Sequence, residues 1–420
     1  MNETKDLIVG IDFGKKYSQI CCYDRKSEEA RSVPVKVGSG QYEMPTLLCM
    51  RTDKKEFCVG IEAEYFINEK GGYSIGDMYE VAESSDKITV SDEKMEPWVL
   101  LAGFIRGMLK LLGIADVEKK ITCISITMED LKPVHINNLK KACMEIGVKE
   151  DGIMLLDYDE SFYYYVMTQK IETWNRNVGW YNFEENKVCF RKLFQKSDGK
   201  QVFVRLGDST ETELSDDSVE RDAEFYAFVK NTLGRDLYSS IQINGEGFDQ
   251  EWAQKSVKLL CYQKRKVFYG NNLFARGACS AGAERFITHS LKNHRYLSKS
   301  MVLYEVGMEV RVMGSSTYYS LIPSGRNWYE SSAYIEVIMD DTKELIFVVN
   351  DMGESEKKKI SMALPGFPDR PNRTTRLGID LRYISPSECE INVSDLGFGE
   401  LFPSSGKKWR EVTKWQEVVK

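Results

Sequence analysis

The sequence predicts an α/β first part followed by an all-β second part. An apolar strand at residues 7–11 runs into a glycine turn and returns as a second strand at 17–23. Strands and helices then alternate, which is typical of α/β architecture. After about residue 298, apolar and polar residues alternate with period 2 between turn residues, which indicates an antiparallel sheet or sandwich. We expect domains at 1–297 and 298–405, and a short helical tail at 406–420.

Within the first part, each element follows from its apolar spacing and its turn residues. Helical spacing or strand-like runs predict, in order, an extended stretch from Pro45, a helix at 95–113, a strand at 121–127, a helix at 128–147, a strand at 152–156 and a helix at 160–169. Residues 178–183 and 187–194 then form a hairpin that turns at Glu185-Asn186 and continues into 201–206. The last predicted elements are a helix at 216–233, a strand at 238–243, a turn at 244–247 and helices at 250–260 and 272–290.

In the second part, period-2 alternation predicts strands rather than helices. These strands lie at 302–312, 318–322, 334–339, 344–349, 376–383 and 389–393. The helix predicted for the tail covers residues 407–419.

Composition excludes several classes of function. The chain has 57 basic and 64 acidic residues and a net charge of −7, so it lacks the positive charge of a nucleic-acid-binding or membrane-surface protein. Its ten cysteines form no C-x-x-C pair, and its three histidines make a zinc site or a histidine-based triad improbable. No secretory signal is expected. We expect a cytoplasmic protein with reduced thiols.

The sharpest local motif ends the first strand. In Val9-Gly10-Ile11-Asp12-Phe13-Gly14, the second glycine leaves room for backbone N–H groups to approach an anion. A carboxylate at Asp12 is suited to holding hydrated Mg²⁺ beside a phosphate. The alternative is an ordinary hairpin whose turn happens to contain Asp-x-Gly.

This hairpin resembles the first phosphate loop of the actin-like ATPase superfamily, most closely the heat-shock-70 (DnaK) chaperones. Further segments resemble that family in the same order and at similar spacing, and this order carries the resemblance more than any single motif. They are Glu43-Met44-Pro45-Thr46-Leu47-Leu48, Ile124-Ser125-Ile126-Thr127, Asp157-Tyr158-Asp159-Glu160-Ser161-Phe162, Ile243-Asn244-Gly245-Glu246-Gly247-Phe248, Asn272 to Ala281, Leu364-Pro365-Gly366-Phe367-Pro368 and Leu377-Gly378-Ile379-Asp380-Leu381.

The resemblance implies an actin-like (ribonuclease H-like) two-lobed ATPase domain and a C-terminal antiparallel β-sandwich that binds peptide. It also implies ATP or ADP with Mg as the ligand, with Mg held through Asp12. Two acids at the first hinge, Asp159 and Glu160, are the implied catalytic residues, with a helix cap as the alternative role. The implied nucleotide-binding residues are Gly10, Asp12, Gly14, Lys15, Lys16, Tyr17, Gly245, Glu246, Gly247 and Phe248. Lys15 and Lys16 could equally be exposed turn residues.

The sequence departs from the family in its second phosphate loop. Where the family has an Asp and a glycine-rich turn, this chain has Glu184-Glu185-Asn186-Lys187, whose acids would repel a phosphate. Residues 195–237 are also too short to contain the family's outer lobe, and no helical lid follows the second part.

We therefore expect a divergent chaperone-like protein that binds ATP or ADP weakly, with little or no hydrolysis. Its β-rich domain would engage a peptide or protein partner by strand addition. The alternative is a pseudo-ATPase: an actin-like scaffold that binds no nucleotide. A sugar or acyl-phosphate kinase and an actin-like filament protein fit less well, because neither explains the β-rich second part and the kinase needs a catalytic Asp in the second loop.

Overall fold

The structure is a computed structural model that describes residues 6–36, 38–351 and 357–415. The chain divides into two compact units, Met1–Tyr296 and Leu297–Lys420. The first unit is mixed α/β and contains several sheets, whereas the regular structure of the second unit is mainly strand. The predicted α/β class, with strands dominating the second part, is therefore confirmed at this level.

The first unit contains eighteen strands and nine α-helices within the described residues. The strands are β1 (Leu7–Phe13), β2 (Tyr17–Asp24), β3 (Glu29–Ser32), β4 (Met44–Pro45), β5 (Leu47–Met50), β6 (Phe57–Val59), β7 (Tyr73–Asp77), β8 (Ile88–Val90), β9 (Glu93–Met95), β10 (Ile121–Met128), β11 (Ile153–Asp157), β12 (Asn177–Glu184), β13 (Lys187–Asp198), β14 (Gln201–Leu206), β15 (Thr210–Glu213), β16 (Tyr238–Glu246), β17 (Lys266–Tyr269) and β18 (His294–Tyr296). The helices are α1 (Gly60–Glu69), α2 (Met78–Glu83), α3 (Pro97–Lys110), α4 (Val117–Lys120), α5 (Pro133–Glu145), α6 (Tyr158–Met167), α7 (Ser218–Leu233), α8 (Gln254–Leu260) and α9 (Leu273–Ala283).

Two large sheets of the first unit repeat one strand order. In the first sheet the order is β11-β10-β1-β2-β3, with β1 parallel to β10 and antiparallel to β2. The second sheet has the order β17-β16-β12-β13-β14-β18, so its first five strands match this order, with β12 parallel to β16 and antiparallel to β13. Each sheet thus begins with three antiparallel strands that are consecutive in the chain. Two further strands, parallel to the first of these three, are added through helical crossovers. Buried apolar runs such as that of β1 are what such central strands require.

Helix α9 is buried along almost its whole length and lies directly on the first sheet. Small residues make this close approach possible: a Cβ on Gly10 would lie 2.4 Å from the carbonyl oxygen of Ala275 and from the amide nitrogen of Cys279. A Cβ on Gly277 would lie 2.0 Å from the carbonyl oxygen of Ser161 in α6. The small-residue character of this helix is therefore explained by packing against β1 and α6.

The second unit forms two four-stranded antiparallel sheets. Their orders are β20-β19-β22-β23 and β21-β24-β25-β26. The strands are β19 (Tyr304–Val312), β20 (Ser315–Ile322), β21 (Ser332–Ile338), β22 (Glu344–Asp351), β23 (Lys357–Ala363), β24 (Arg376–Tyr383), β25 (Glu388–Asp395) and β26 (Lys408–Lys414). Alternate residues of the central strands, such as Leu377, Ile379 and Leu381, are fully buried, as period-2 patterning requires.

The helical tail is the clearest error among the element predictions. Residues 408–414 form the edge strand β26, which pairs along its whole length with β25. The last residues of the predicted tail, 416–420, lie outside the described residues. The spacing of Trp409, Val412 and Trp415 suits a helix. Trp409, Thr413 and Trp415 are instead separated by even numbers of residues, as on one face of a strand. These three are buried and Val412 is exposed, so the strand pattern is the one observed. Hydrogen bonding to β25, a strand outside this segment, favoured the strand over the helix.

Two boundaries near the predicted adenosine loop also differ. The predicted turn at 244–247 is wrong for its first three residues, because β16 continues through Glu246. The helix predicted at 272–290 is shorter: α9 ends at Ala283 and a π-helical segment, Glu284–Thr288, follows. The predicted hairpin is present as β12 and β13, and β23 was not predicted.

Candidate functional site

Asp12 lies near the end of β1, opposite Gln19 of β2, and is only 6% exposed. The Tyr158 hydroxyl donates a hydrogen bond of 2.9 Å to its Oδ1. Burial raises the pKa of Asp12 to about 7, the Tyr158 hydrogen bond opposes this rise, and the charge of Glu43 adds to it. The protonated form of this buried carboxyl group is therefore favoured up to near-neutral pH.

An aromatic cluster stands against this carboxyl group. The Tyr158 ring stacks on Phe274 with centroids 3.8 Å apart and planes within 8°. Trp180 meets Phe274 edge to face at 5.8 Å and stacks on Phe162 at 4.4 Å. We call Tyr158, Phe162, Trp180 and Phe274 the aromatic plug. It joins α6, α9 and β12 and reaches Asp12 through the hydroxyl of Tyr158.

Protein groups also hold the turn that follows Asp12. The carbonyl oxygen of Gly14 accepts a hydrogen bond of 2.8 Å from the Thr46 hydroxyl, and the Lys16 carbonyl accepts one from the Thr46 amide. Lys15 forms an ion pair with Glu129, and about half of each side chain is exposed. Tyr17 is partly exposed and pairs with Pro45. The structure therefore places Lys15 on a carboxylate of this chain.

The two glycines of the predicted adenosine loop have left-handed backbone conformations, with φ +96° at Gly245 and +106° at Gly247. A Cβ on Gly245 would lie 2.0 Å from the carbonyl oxygen of Phe183, and one on Gly247 would lie 2.1 Å from that of Glu185. Both glycines are thus required by the chain path beside β12. Phe248 is buried in a core with Phe183 and other aromatic residues, so its ring is committed to packing.

Gln19 and Asn271 bring the first loop and the adenosine loop together. The Gln19 side-chain amide donates to Glu43 Oε1 at 3.3 Å and to the Asn271 carbonyl oxygen at 2.9 Å. Asn271 Oδ1 in turn accepts the Gly245 amide at 2.8 Å. Burial raises the pKa of Glu43, and the nearby charge of Glu246 raises it further. The predicted motifs therefore do meet in space, at a place that is amide-rich and acidic.

The two acids at the start of α6 have different partners. Asp159 forms an ion pair with Arg191 of β13, and both side chains are largely buried. The helix cap is Asp157, whose Oδ1 accepts the Glu160 amide at 2.7 Å. The alternative role of Asp159 and Glu160 as the cap is therefore wrong, although both lie in the first turn, where negative charge is favourable.

A cavity of about 290 Å³ opens beside the aromatic plug. Four carboxylates line it, against two cations that are each already paired: Lys187 with Glu211 at 2.6 Å, and Arg191 with Asp159. The other two carboxylates are Glu129 and Glu184. Glu129 is paired with Lys15, and Glu184 adds a further negative charge to the lining.

The sequence prediction overlooked Tyr158, Trp180 and Phe274 as site residues. One signal was available. Asp12, Glu129 and Tyr158 each stand at or just after the carboxyl end of a strand, and β1, β10 and β11 are parallel neighbours. Residues in these positions meet at one edge of a sheet. Trp180 and Phe274 lie on β12 and α9, outside this sheet, so the positions of these strand ends do not predict their packing beside Tyr158.

Within residues 6–36, 38–351 and 357–415, no group of three or more His, Cys, Asp or Glu side chains is placed to hold a metal ion. Asp12, the expected Mg²⁺ ligand, is buried, and its Oδ1 accepts the Tyr158 hydroxyl. No described helix combines the length and the apolar character that crossing a membrane requires.

Comparison with known families gives two matches and no assigned activity. A model described as family of unknown function (DUF5716) C-terminal matches residues 29–299. A second, described as a domain of unknown function (DUF8552), matches residues 301–415. No curated protein matches the chain significantly. Because the first match covers well over half of the sequence, the chain belongs to the family of unknown function DUF5716.

Proposed function

We propose that this chain is a pseudo-ATPase: a scaffold of the actin-like, two-lobed fold that neither hydrolyses ATP nor depends on a bound nucleotide, and that acts through a protein partner. The repeated strand order of the two large sheets supports the actin-like part of this proposal. The observation that carries the loss of nucleotide is the hydrogen bond from Tyr158 to the buried carboxyl group of Asp12.

Three features favour this scaffold over the weak nucleotide binder. The aromatic plug stands beside Asp12, and the Lys15 ammonium is already paired with Glu129. The neighbouring cavity is lined by more carboxylates than cations, and its cations are paired. Phosphate binding needs unpaired donors or positive charge, and two of the groups expected to supply the site, Lys15 and Asp12, have partners within the protein.

The second unit is the proposed site of a protein partner. Strand β21 ends its sheet and is hydrogen-bonded to β24 on one side, and within the described residues no strand pairs with its other side. Tyr334 and Ile338 of this strand are more than half exposed. An edge strand that bears apolar side chains and few charges suits the addition of an extended peptide segment.

The test is calorimetric titration of the full chain with Mg-ATP and with Mg-ADP, together with melting temperatures at millimolar nucleotide. We expect no binding heat and no rise in melting temperature, since a ligand stabilises a folded protein only in proportion to its occupancy of a site. Asp12→Ala, shown by circular dichroism to be folded, is the matched control. Saturable micromolar binding that Asp12→Ala abolishes would overturn the proposal and restore the nucleotide-binding alternative.

A further inference from the structure

An open groove of about 610 Å³ lies between α7 and α8 in the first unit. Its lining is Ala223, Tyr226, Lys255, Lys258, Leu259 and Tyr262. The two tyrosines are 38% and 63% exposed, whereas such rings are usually more buried in a folded core. The groove therefore combines an apolar floor, two aromatic walls and two ammonium groups.

The sequence around this groove is basic although the chain is acidic overall. Residues 254–266 contain five basic residues and no acidic one, in a protein of net charge −7. The five are Lys255, Lys258, Lys264, Arg265 and Lys266. Within the described part of the chain, neither Lys255 nor Lys258 takes part in an ion pair with a carboxylate. Their charge is thus available to a partner.

The three acids of α7 all have hydrogen-bond partners within this chain. Glu224 accepts the Ser215 amide at 2.7 Å, and Glu220 accepts the Ser215 hydroxyl at 3.0 Å. Asp222 is buried and accepts the amides of Lys255 and Ser256 at 2.9 and 3.0 Å. Burial alone would raise the pKa of Asp222, but the hydrogen bond of the Ser256 hydroxyl, the two amide hydrogen bonds and the nearby charge of Lys255 lower it. Glu220 and Glu224 thus have partners other than the lysines of the lining, and of the three acids of α7 only Asp222 lies close enough for its charge to act on Lys255.

We propose that this groove binds an acidic segment of a partner protein that carries a large apolar side chain. Carboxylates of the segment would pair with Lys255 and Lys258, while its apolar side chain would pack between Tyr226 and Tyr262 over Leu259. Charge complementarity selects the acidic segment, and the apolar floor supplies the contact area. The proposal is independent of the nucleotide question, because no residue of the Asp12 site lines this groove.

Nucleic acid is the less suitable occupant. A phosphate backbone is best held by several cations and by planar arginine groups. The groove lining contains two lysines and no arginine, and Arg265 is occupied by the carbonyl oxygens of Leu259 and Leu260.

The experiment uses fluorescence anisotropy with the full chain and three labelled probes. These are a short peptide of alternating glutamate and leucine, the same peptide with serine in place of leucine, and a single-stranded oligonucleotide. The variants are Lys255→Glu/Lys258→Glu and Tyr226→Ala/Tyr262→Ala. The matched control is Lys94→Glu/Lys141→Glu, which changes the net charge equally at two exposed lysines that lie outside the groove lining. Circular dichroism melts establish that each variant is folded.

We expect saturable binding of the glutamate–leucine peptide that weakens by about tenfold or more in the groove lysine variant, since like charges then meet across the interface. The tyrosine variant should weaken it as well, and the control variant should stay within about twofold of wild type. Equal losses in the groove and control variants, no saturable binding, or preference for the serine peptide or the oligonucleotide would each overturn the proposal.

Discussion

Tyr158 and Asp12 stand 146 positions apart in the chain, and the hydroxyl of the first donates a hydrogen bond of 2.9 Å to the carboxyl group of the second. The contact links the first residue of α6 to the end of β1. It places a buried acid and a phenol where the sequence predicts a magnesium ligand. Several measurable properties of the protein depend on this pair.

The first prediction concerns the pH dependence of stability. Because the pKa of Asp12 is raised from 3.8 to about 7, its contribution is most favourable at low pH and declines as pH rises from about 4 to about 7. Replacing it with Asn keeps an acceptor for Tyr158 but removes the titration. We expect wild type to lose up to about 4 kcal/mol relative to Asp12→Asn over this window. Urea denaturation at a series of pH values measures this difference, and parallel pH profiles would contradict it.

Tyr158→Phe should shift the same window upward. The Tyr158 hydrogen bond lowers the pKa of Asp12, so its removal leaves burial and Glu43 unopposed and raises that pKa further. The decline in unfolding free energy should then extend to higher pH than in wild type. The measurement is the same pH series, with Tyr158→Phe/Asp12→Asn as the control in which the shift must vanish.

Gly277→Ala should destabilise the first unit by roughly 1–3 kcal/mol. A Cβ at this position would meet the backbone of Ser161 at 2.0 Å, and neither α6 nor α9 can move without disturbing the sheet beneath. Gly270→Ala is the matched control, since its Cβ would have 3.6 Å to the nearest group, the side chain of Asn272. Chemical denaturation followed by circular dichroism compares them; an equal effect of the two substitutions would refute the packing argument.

In the second unit, Arg370→Met should cost about 3–5 kcal/mol, because it leaves the buried carboxylate of Asp395 without its cation. Arg370 pairs with Asp395 at 2.8 Å, and these side chains are 10% and 0% exposed. Burial alone would raise the pKa of Asp395, yet Arg370 and the Ser405 and Gly397 amides hold it well below its ordinary value.

The control for this substitution is Arg376→Met, whose pair with Glu336 at 3.3 Å is roughly half exposed and should contribute at most about 1 kcal/mol. Thermal and urea denaturation of both variants give the comparison. The dependence of stability on pH is opposite to that of Asp12. The Asp395 contribution is present above the pKa of the carboxyl group in the unfolded chain, and it is lost as pH falls from that value toward the lower pKa of the folded protein. A cost for Arg370→Met no larger than that of the control would contradict the prediction.

Local patterns were enough to predict many of the elements. The hairpin of β12 and β13 follows from two apolar runs around Glu185-Asn186, and the strands of the second unit follow from alternation that the burial of β24 reproduces. The tail failed because its residues satisfy two periods at once. The choice between them was made by hydrogen bonds to β25, which lies outside the segment.

The candidate site was predictable only in part, for a physical reason. A motif identifies residue types that can bind a phosphate, and Asp12 and Gly14 do stand together at the end of β1. Whether they remain available depends on what packs against them. Tyr158 contacts Asp12 from α6, and Phe274 and Trp180 pack with it from α9 and β12, so the surroundings of Asp12 are set by tertiary packing that no spacing rule contains.

Because the two large sheets of the first unit share a strand order, their two hairpins can be compared with each other within one molecule. The hairpin of β1 and β2 has the same place in its sheet as the hairpin of β12 and β13 has in the other, but the first turn contains Asp-x-Gly and the second contains adjacent glutamates. Exchanging the two turns would therefore separate what a turn's own residues determine from what its surroundings impose, inside one chain and at one concentration.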